Sequence, residues 1–149
     1  MIAAGEPAPD FTLRDQDGEQ VSLADFRGRR VLLVFYPQDF SPVCGDQFSI
    51  YQEVKPELAA KGVELLGISV DHRWAHKAFQ EKLGIDTTLL ADFEPKGEVA
   101  RAYGSYLEKF GFANRVLVLV DEAGRVAWTY EAPNPGEIPG ANLIFDALA

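Results

Sequence analysis

One cysteine in 149 residues is the scarcest reactive group this chain offers. A lone thiol, Cys44, forms no internal disulfide, so the fold must rest on its core, and this usage fits a reducing, cytoplasmic setting. Basic residues are sparse as well: Lys and Arg number 14 against 23 Asp and Glu, a formal net charge of −9. Such an acidic balance argues against nucleic acid or an anionic membrane as partner. No stretch approaches the roughly 20 apolar residues of a membrane span, and the opening MIAAGEPAPD has neither the basic nor the apolar region of a secretory signal. There are only two histidines. His72 and His76 stand at metal-ligand spacing, but with no second cysteine or third ligand nearby they read as a surface pair. Gly104 and Gly111 lack the lysine and glycine-rich context of a phosphate loop. No cofactor or metal is therefore expected.

Apolar patterning is plentiful. Hydrophobic residues make up 47% of the chain, enough for one sizeable core, and no linker or repeat divides it, so residues 1–149 read as a single domain. Phe11 to Leu13 and Gln20 to Ser22 read as short strands around the Asp17–Gly18 turn, an amino-terminal hairpin. Val31 to Tyr36 is an unbroken β-branched, leucine and aromatic run, the pattern of a strand buried on both faces. Val63 to Val70 and Thr88 to Ala91 are further strands. Between them Asp71 is placed to cap a helix carrying Trp74, Ala78, Phe79 and Leu83, closed by Gly84. Glu94 to Tyr103 reads as a short helix and Tyr106 to Asn114 as a loop. Val116 to Val120 and Val126 to Tyr130 flank a turn at Asp121–Gly124, and Ala141 to Leu148 is a closing helix. Strands alternating with helices predict an α/β sheet with an antiparallel hairpin late in the order. Trp74 and Trp128 read as packing residues.

The cysteine lies where strand hands over to helix. Pro37 ends the Val31–Tyr36 run because it lacks the donor a central strand needs. Ser41 is placed as N-cap and Pro42 at the first helical position, with Phe48, Tyr51, Val54 and Leu58 forming one apolar face beyond. Cys44 then sits in the first helical turn, where unpaired N–H groups and the positive dipole end favour a thiolate. By residue type alone a lone cysteine is as readily a small buried hydrophobe; the proline, the hydroxyl three residues before it and the helix start shift the reading to a reactive thiol. Phe40, Phe48 and Phe112 would form an apolar wall beside it, although core packing accounts for them nearly as well.

The segment Pro37-Gln38-Asp39-Phe40-Ser41-Pro42-Val43-Cys44 resembles the active-site signature of the peroxiredoxins. The likeness extends through Gly5 to Gly18, Leu66 to Asp71, the LLAD segment with its Ala102-Tyr103-Gly104 ending, and Arg115 before Val116 to Asp121. Within that family the chain is similar to the bacterioferritin comigratory protein type and to one-cysteine bacterial alkyl hydroperoxide reductases. The resemblance implies a thioredoxin-like fold, with a central mixed sheet flanked by helices, and thiol-dependent reduction of hydrogen peroxide and organic hydroperoxides. It makes Cys44 the nucleophile that becomes a sulfenic acid. Arg115, a surface cation at a strand start on pattern alone, becomes the group that stabilises the thiolate and polarises the O–O bond. Ser41 joins it as a hydrogen-bonding hydroxyl, a role compatible with being a cap, and Pro37 shields the sulfur. The N–H groups of Val43 and Cys44 would bind the peroxide, and Gln47 would hydrogen-bond near Arg115. Ser49 occupies the position where many comigratory-type relatives carry a resolving cysteine; a serine native to the chain and one replacing a cysteine read alike. The implied reductant is external: thioredoxin, a glutaredoxin-like protein or a low-molecular-weight thiol. Family analogy allows a monomer or a homodimer. A rival reading with the same reactive Cys44 is a thioredoxin-fold redox sensor or interaction protein, which turnover with a reductant would distinguish.

Overall fold

The computed structural model describes residues 1–149. In chain order the elements are β1 (Thr12–Arg14), β2 (Gln20–Ser22), a 3₁₀ turn (Leu23–Phe26), β3 (Arg30–Phe35), α1 (Pro42–Ala60), β4 (Val63–Ser69) and α2 (Arg73–Leu83). Then come β5 (Thr88–Ala91), α3 (Glu98–Ala102), β6 (Tyr106–Leu107), β7 (Phe112–Ala113), β8 (Val116–Val120), β9 (Val126–Glu131) and α4 (Ala141–Leu148). Seven strands form one sheet in the order β2-β1-β5-β4-β3-β8-β9. The centre, β5-β4-β3, is parallel, with α1 and α2 as crossovers, while β8 and β9 add antiparallel strands on one edge and the amino-terminal hairpin closes the other. This is the thioredoxin-like α/β arrangement, with a mixed central sheet.

Both faces of the sheet are covered, which explains why β3 from Val31 onward and all of β8 are apolar instead of alternating. Val31, Leu33 and Phe35 of β3 point into one core, shared with Val116, Val118 and Val120 of β8 and with Val99 and Ala100 of α3. Leu32, Val34 and Tyr36 point into the other, where they meet Cys44, Phe48, Tyr51 and Leu58 of α1, Phe79 of α2 and Ile144 of α4. Each large side chain buried this way contributes about 1.5–3 kcal/mol. Gly67 in β4 makes room for that packing: a Cβ there would come within 2.9 Å of Phe48 Cζ and 2.7 Å of Leu89 Cδ2. Phe48 thus presses α1, and the cysteine one turn earlier, against the sheet.

Several expectations change. The helix expected over Glu94–Tyr103 is confined to Glu98–Ala102. Glu94 precedes Pro95, which disfavours helical backbone, and Gly97 enters the helix from the left-handed region at φ 71°. The loop expected over Tyr106–Asn114 contains the small β6–β7 hairpin. The cap of α2 is His72, whose ring nitrogen accepts from the Trp74 N–H, in place of Asp71. Trp74, read as a packing residue, is 63% exposed, with the Arg73 guanidinium 4.1 Å above its ring. No helix is long and apolar enough to cross a membrane.

Candidate active site

The end of β3, the turn after it and the first turn of α1 build the site. Tyr36 and Pro37 are buried at the strand end. Ser41 has the extended backbone of an N-cap, φ −67° and ψ 141°, and its Oγ accepts the Cys44 N–H at 3.1 Å. Pro42 follows at the first helical position, where its missing N–H costs nothing. Cys44 is a free thiol with 0% exposure, packed in the core that includes Tyr36, Phe48, Tyr51 and Phe79. One expectation needs correction. The Cys44 N–H, assigned above to the peroxide, is already committed to Ser41, whereas the half-buried Val43 has no hydrogen bond on its N–H.

Arg115 reaches this region through the sheet. Phe35 of β3 pairs with Val116 of β8 in antiparallel register, so the residue before β8 falls at the carboxyl end of β3. The surface position that residue pattern alone gives to Arg115 does not hold, since the side chain is 1% exposed. Its Nε donates to the Pro135 carbonyl at 2.6 Å and Nη1 to Gln47 Oε1 at 2.7 Å, while Nη2 makes no hydrogen bond within the protein. No carboxylate pairs with it among the ion pairs of the molecule. A buried cation among neutral acceptors is costly, so the site has a standing electrostatic demand for an anion. Gln47 is buried one turn beyond Cys44, and its Nε2 donates to the Tyr51 hydroxyl at 3.3 Å, which donates in turn to the Pro139 carbonyl at 2.6 Å. Burial pushes the Tyr51 phenol up to about 12, so it stays a neutral donor.

A second buried network lies in the turn that carries Ser41. Tyr36 Oη donates to Asp39 Oδ1 at 2.6 Å, and His76 Nδ1 lies 2.7 Å from Asp39 Oδ2. Asp71 Oδ2 receives the Asp39 N–H at 2.8 Å and the Ser69 hydroxyl at 2.5 Å. Burial, and then the charge of Asp39, raise Asp71 above the ordinary carboxyl range; burial and the same charge hold the Tyr36 phenol well above its usual value. The expected surface pair of histidines is therefore wrong: His76 is 0% exposed, while His72 caps its helix and contacts Phe93 edge-on. Asp39, Asp71 and His76 do bring ligand atoms within 4.8 Å of one another. Hydrogen bonds within the protein already occupy Asp39 Oδ1, Asp39 Oδ2, Asp71 Oδ2 and both ring nitrogens, which accounts for the cluster without an ion.

The aromatic wall divides. Phe48 is in the thiol's core, but Phe112 stacks on Phe110 at 5.5 Å in the β6–β7 hairpin and is not part of that core. Phe40 is exposed, its ring edge on Phe79 at 5.4 Å, and its backbone is left-handed at φ 68°, the only non-glycine residue with positive φ. For a bulky side chain that conformation costs about 1–3 kcal/mol and persists only where the surroundings impose it. Ser49 lies on the solvent side of α1, turned away from the buried Cys44. A cavity of about 250 Å³ near β1 and α3, lined by Asp10, Phe11, Asp92, Glu98 and Tyr103 among others, is separate from this group.

A buried thiol at a helix start on a thioredoxin-like sheet belongs to the cysteine-dependent oxidoreductases. Comparison with known proteins narrows the class. Residues 4–129 match the AhpC/TSA family model. The chain is 39% identical over 150 residues to "Alkyl hydroperoxide reductase E" of Mycobacterium tuberculosis, covering 100% of this chain and 97% of that protein. It is 37% identical over 136 residues to "Peroxiredoxin Bcp" of Escherichia coli, covering 87% and 86%. The structure of Enterococcus faecalis AhpC superposes with a TM-score of 0.91 at 28% identity, over 99% of this chain and 91% of that one. The chain belongs to the AhpC/TSA family of peroxiredoxins, and its enzymatic activity is that of a thiol-dependent peroxidase.

Proposed function

We propose that the chain runs a one-cysteine peroxidase cycle on hydrogen peroxide and organic hydroperoxides, completed by an external thiol. The observation that carries this reading is that Cys44 is the only cysteine, so no intramolecular disulfide can close. The Cys44 thiolate attacks one peroxide oxygen; the O–O bond breaks, sulfur is oxidised by two electrons to the sulfenic acid, and the departing oxygen takes a proton to leave as water or alcohol. An external thiol then attacks the sulfenic sulfur and expels water. A second thiol attacks the mixed disulfide, returning Cys44 to the thiol and releasing the reductant as a disulfide. Thioredoxin, a glutaredoxin-like protein and low-molecular-weight thiols are the candidate reductants, in a reducing, cytoplasmic setting.

Roles follow from the bonds each group has left to make. Arg115 supplies the free Nη2 donors to the thiolate and to the charge that grows on the departing oxygen, and Gln47 fixes the guanidinium. The Val43 N–H is available to the peroxide. Ser41 accepts the Cys44 N–H through a lone pair, so its own hydroxyl proton remains to be donated. Buried Pro37 keeps water from the sulfur, and Phe40 offers an apolar rim.

Intact mass after one equivalent of peroxide, with a sulfenic-acid trap, tests the cycle. One added oxygen on Cys44, trapped as sulfenic acid and removed by added thiol with turnover, is expected. A thiol that stays unmodified, or an oxidised form that no thiol restores, overturns it. Ser49→Cys sharpens the point. Five helical residues rise about 7.5 Å, beyond the roughly 4.4–6.8 Å between disulfide-bonded Cα atoms, so a 44–49 bridge requires α1 to unwind. The variant is expected to accumulate sulfenic and then sulfinic acid; a fast internal disulfide would show that this chain retains a local resolving route.

A further inference from the structure

His76 is a buried side chain with no part in the cycle above, yet both of its nitrogens are committed. Nε2 lies 3.0 Å from the Leu90 carbonyl, which can only accept, so the Nε2 atom must carry a proton. Nδ1 lies 2.7 Å from Asp39 Oδ2. One proton between them makes that contact favourable, whether imidazolium donates to carboxylate or carboxylic acid donates to imidazole. Without it, two lone pairs would face each other. The Tyr36 hydroxyl adds a donor to Asp39 Oδ1, and the Asp39 N–H is tied to Asp71. Asp39, Tyr36 and Asp71 are the titratable groups bonded or electrostatically coupled to this ring.

We propose that His76 is a positioning residue of the peroxidase site, holding Asp39 through that shared proton and so imposing the strained Asp39–Phe40–Ser41 turn that sets Ser41 on the Cys44 N–H. Three observations meet here. Phe40 is left-handed at φ 68°, a conformation that needs an outside constraint. The residue before it is anchored through both carboxylate oxygens and its N–H, to Tyr36 just after β3, His76 of α2 and Asp71 just after β4. The residue after it caps the helix of the reactive cysteine. His76 therefore ties α2, and through Leu90 the strand β5, to the geometry of the attacking thiol. The proposal rests on Cys44 being the peroxide-reactive group, but not on how the sulfenic acid is later reduced.

Single-turnover oxidation of Cys44 by hydrogen peroxide, with no reductant present, tests it with two substitutions. His76→Gln extends an amide toward the Leu90 carbonyl and abandons Asp39; His76→Asn sets an amide donor where Nδ1 was. The Gln variant is expected to oxidise about tenfold more slowly, with lower amide-exchange protection at Asp39 and Cys44, and the Asn variant to recover most of both. In the wild type, the nitrogen-15 spectrum of the ring should show Nε2 protonated and Nδ1 in a strong hydrogen bond. Wild-type oxidation in a folded His76→Gln protein, or no recovery by Asn relative to Gln, overturns the proposal. If the Gln variant does not fold, Tyr36→Phe removes the hydroxyl that donates to Asp39 and lies 3.3 Å from His76 Nδ1, and should still loosen residues 39–41 and slow oxidation several-fold; unchanged protection and rate would count against it. A wild-type thiol inert to peroxide but with residues 39–44 protected would sink the peroxidase reading instead, leaving the anchoring of the turn intact.

Discussion

Arg115 and Asp39 are both buried charged residues near the start of α1, and their surroundings differ in kind. Arg115 is surrounded by neutral acceptors, the Gln47 amide and the Pro135 carbonyl, and no carboxylate balances it. Asp39 is matched by a phenol and an imidazole, with a second carboxylate satisfied next to it by Ser69 and a backbone N–H. The second network is complete within the protein and acts as scaffold. The first retains unused positive charge, which is what a site for a thiolate and a developing oxyanion requires. On the role proposed for Arg115, stability is given up there for chemistry; at Asp39 polar groups are buried without that sacrifice.

Removing the thiol proposed to supply the anion for Arg115 should have the largest effect. Cys44→Ser is expected to abolish peroxide consumption while leaving the circular-dichroism spectrum unchanged, because a small buried thiol contributes modestly to packing. Residual turnover would point to chemistry elsewhere. Next comes the cation. Arg115→Met keeps the apolar volume and loses the donors; with a charged hydrogen bond worth about 1.5–3 kcal/mol, stopped-flow oxidation should slow by about 10- to 100-fold. A wild-type rate would make the uncompensated charge irrelevant to catalysis.

Tyr51→Phe probes the support behind Arg115. Losing the phenol frees Gln47 and the Pro139 carbonyl, and a neutral hydrogen bond of about 0.5–1.5 kcal/mol predicts an oxidation rate lower by roughly 2- to 10-fold. The same change has a pH signature. The folded phenol is pushed up to about 12 from 10.0, so between those values the unfolded chain releases its proton first and stability falls as pH rises. Removing the group should erase about 2–3 kcal/mol of that alkaline loss in denaturant titrations. An unchanged slope would mean the phenol is not held neutral.

The smallest effect is expected at Asp71, within the completed network. Asp71 is raised above the ordinary carboxyl range, mainly by burial, so its contribution to stability is fully present at low pH and is lost as pH rises through the folded value. Asp71→Asn can keep its oxygen facing the Asp39 N–H and Ser69, and at neutral pH it should be as stable as wild type or better by less than about 1 kcal/mol. Destabilisation by several kcal/mol would show that the charge itself is needed there.

Local chemistry made much of this molecule legible in the sequence. The run from Val31, the stop at Pro37, the Ser41–Pro42 cap and the left-handed Gly84 closing α2 all concern neighbours in the chain, and each is present as expected. The resemblance to the peroxiredoxin signature singled out Cys44 and Arg115, and both are buried. Facing was harder to read. The four-residue spacing of His72 and His76 suggested a shared surface, but His72 became the cap and His76 turned to Asp39, 37 positions away. Trp74 looked like core and is exposed, because α2 buries Phe79 and His76 toward the sheet. Phe112 was grouped with Phe40 and Phe48 by residue type, and the β6–β7 hairpin carried it elsewhere.

Periodicity thus determined the strands and helices of the main sheet and its crossovers, though not the β6–β7 hairpin, and the cap residues determined where the cysteine helix begins. Only the tertiary structure decided that Arg115 is buried without a counter-ion and that His76 Nδ1 lies 2.7 Å from Asp39 Oδ2. Helix and strand signals depend on residues a few positions apart. What a buried charge faces depends on strand pairing such as Phe35 with Val116, and on helix packing that joins Gln47 to a guanidinium 68 positions away.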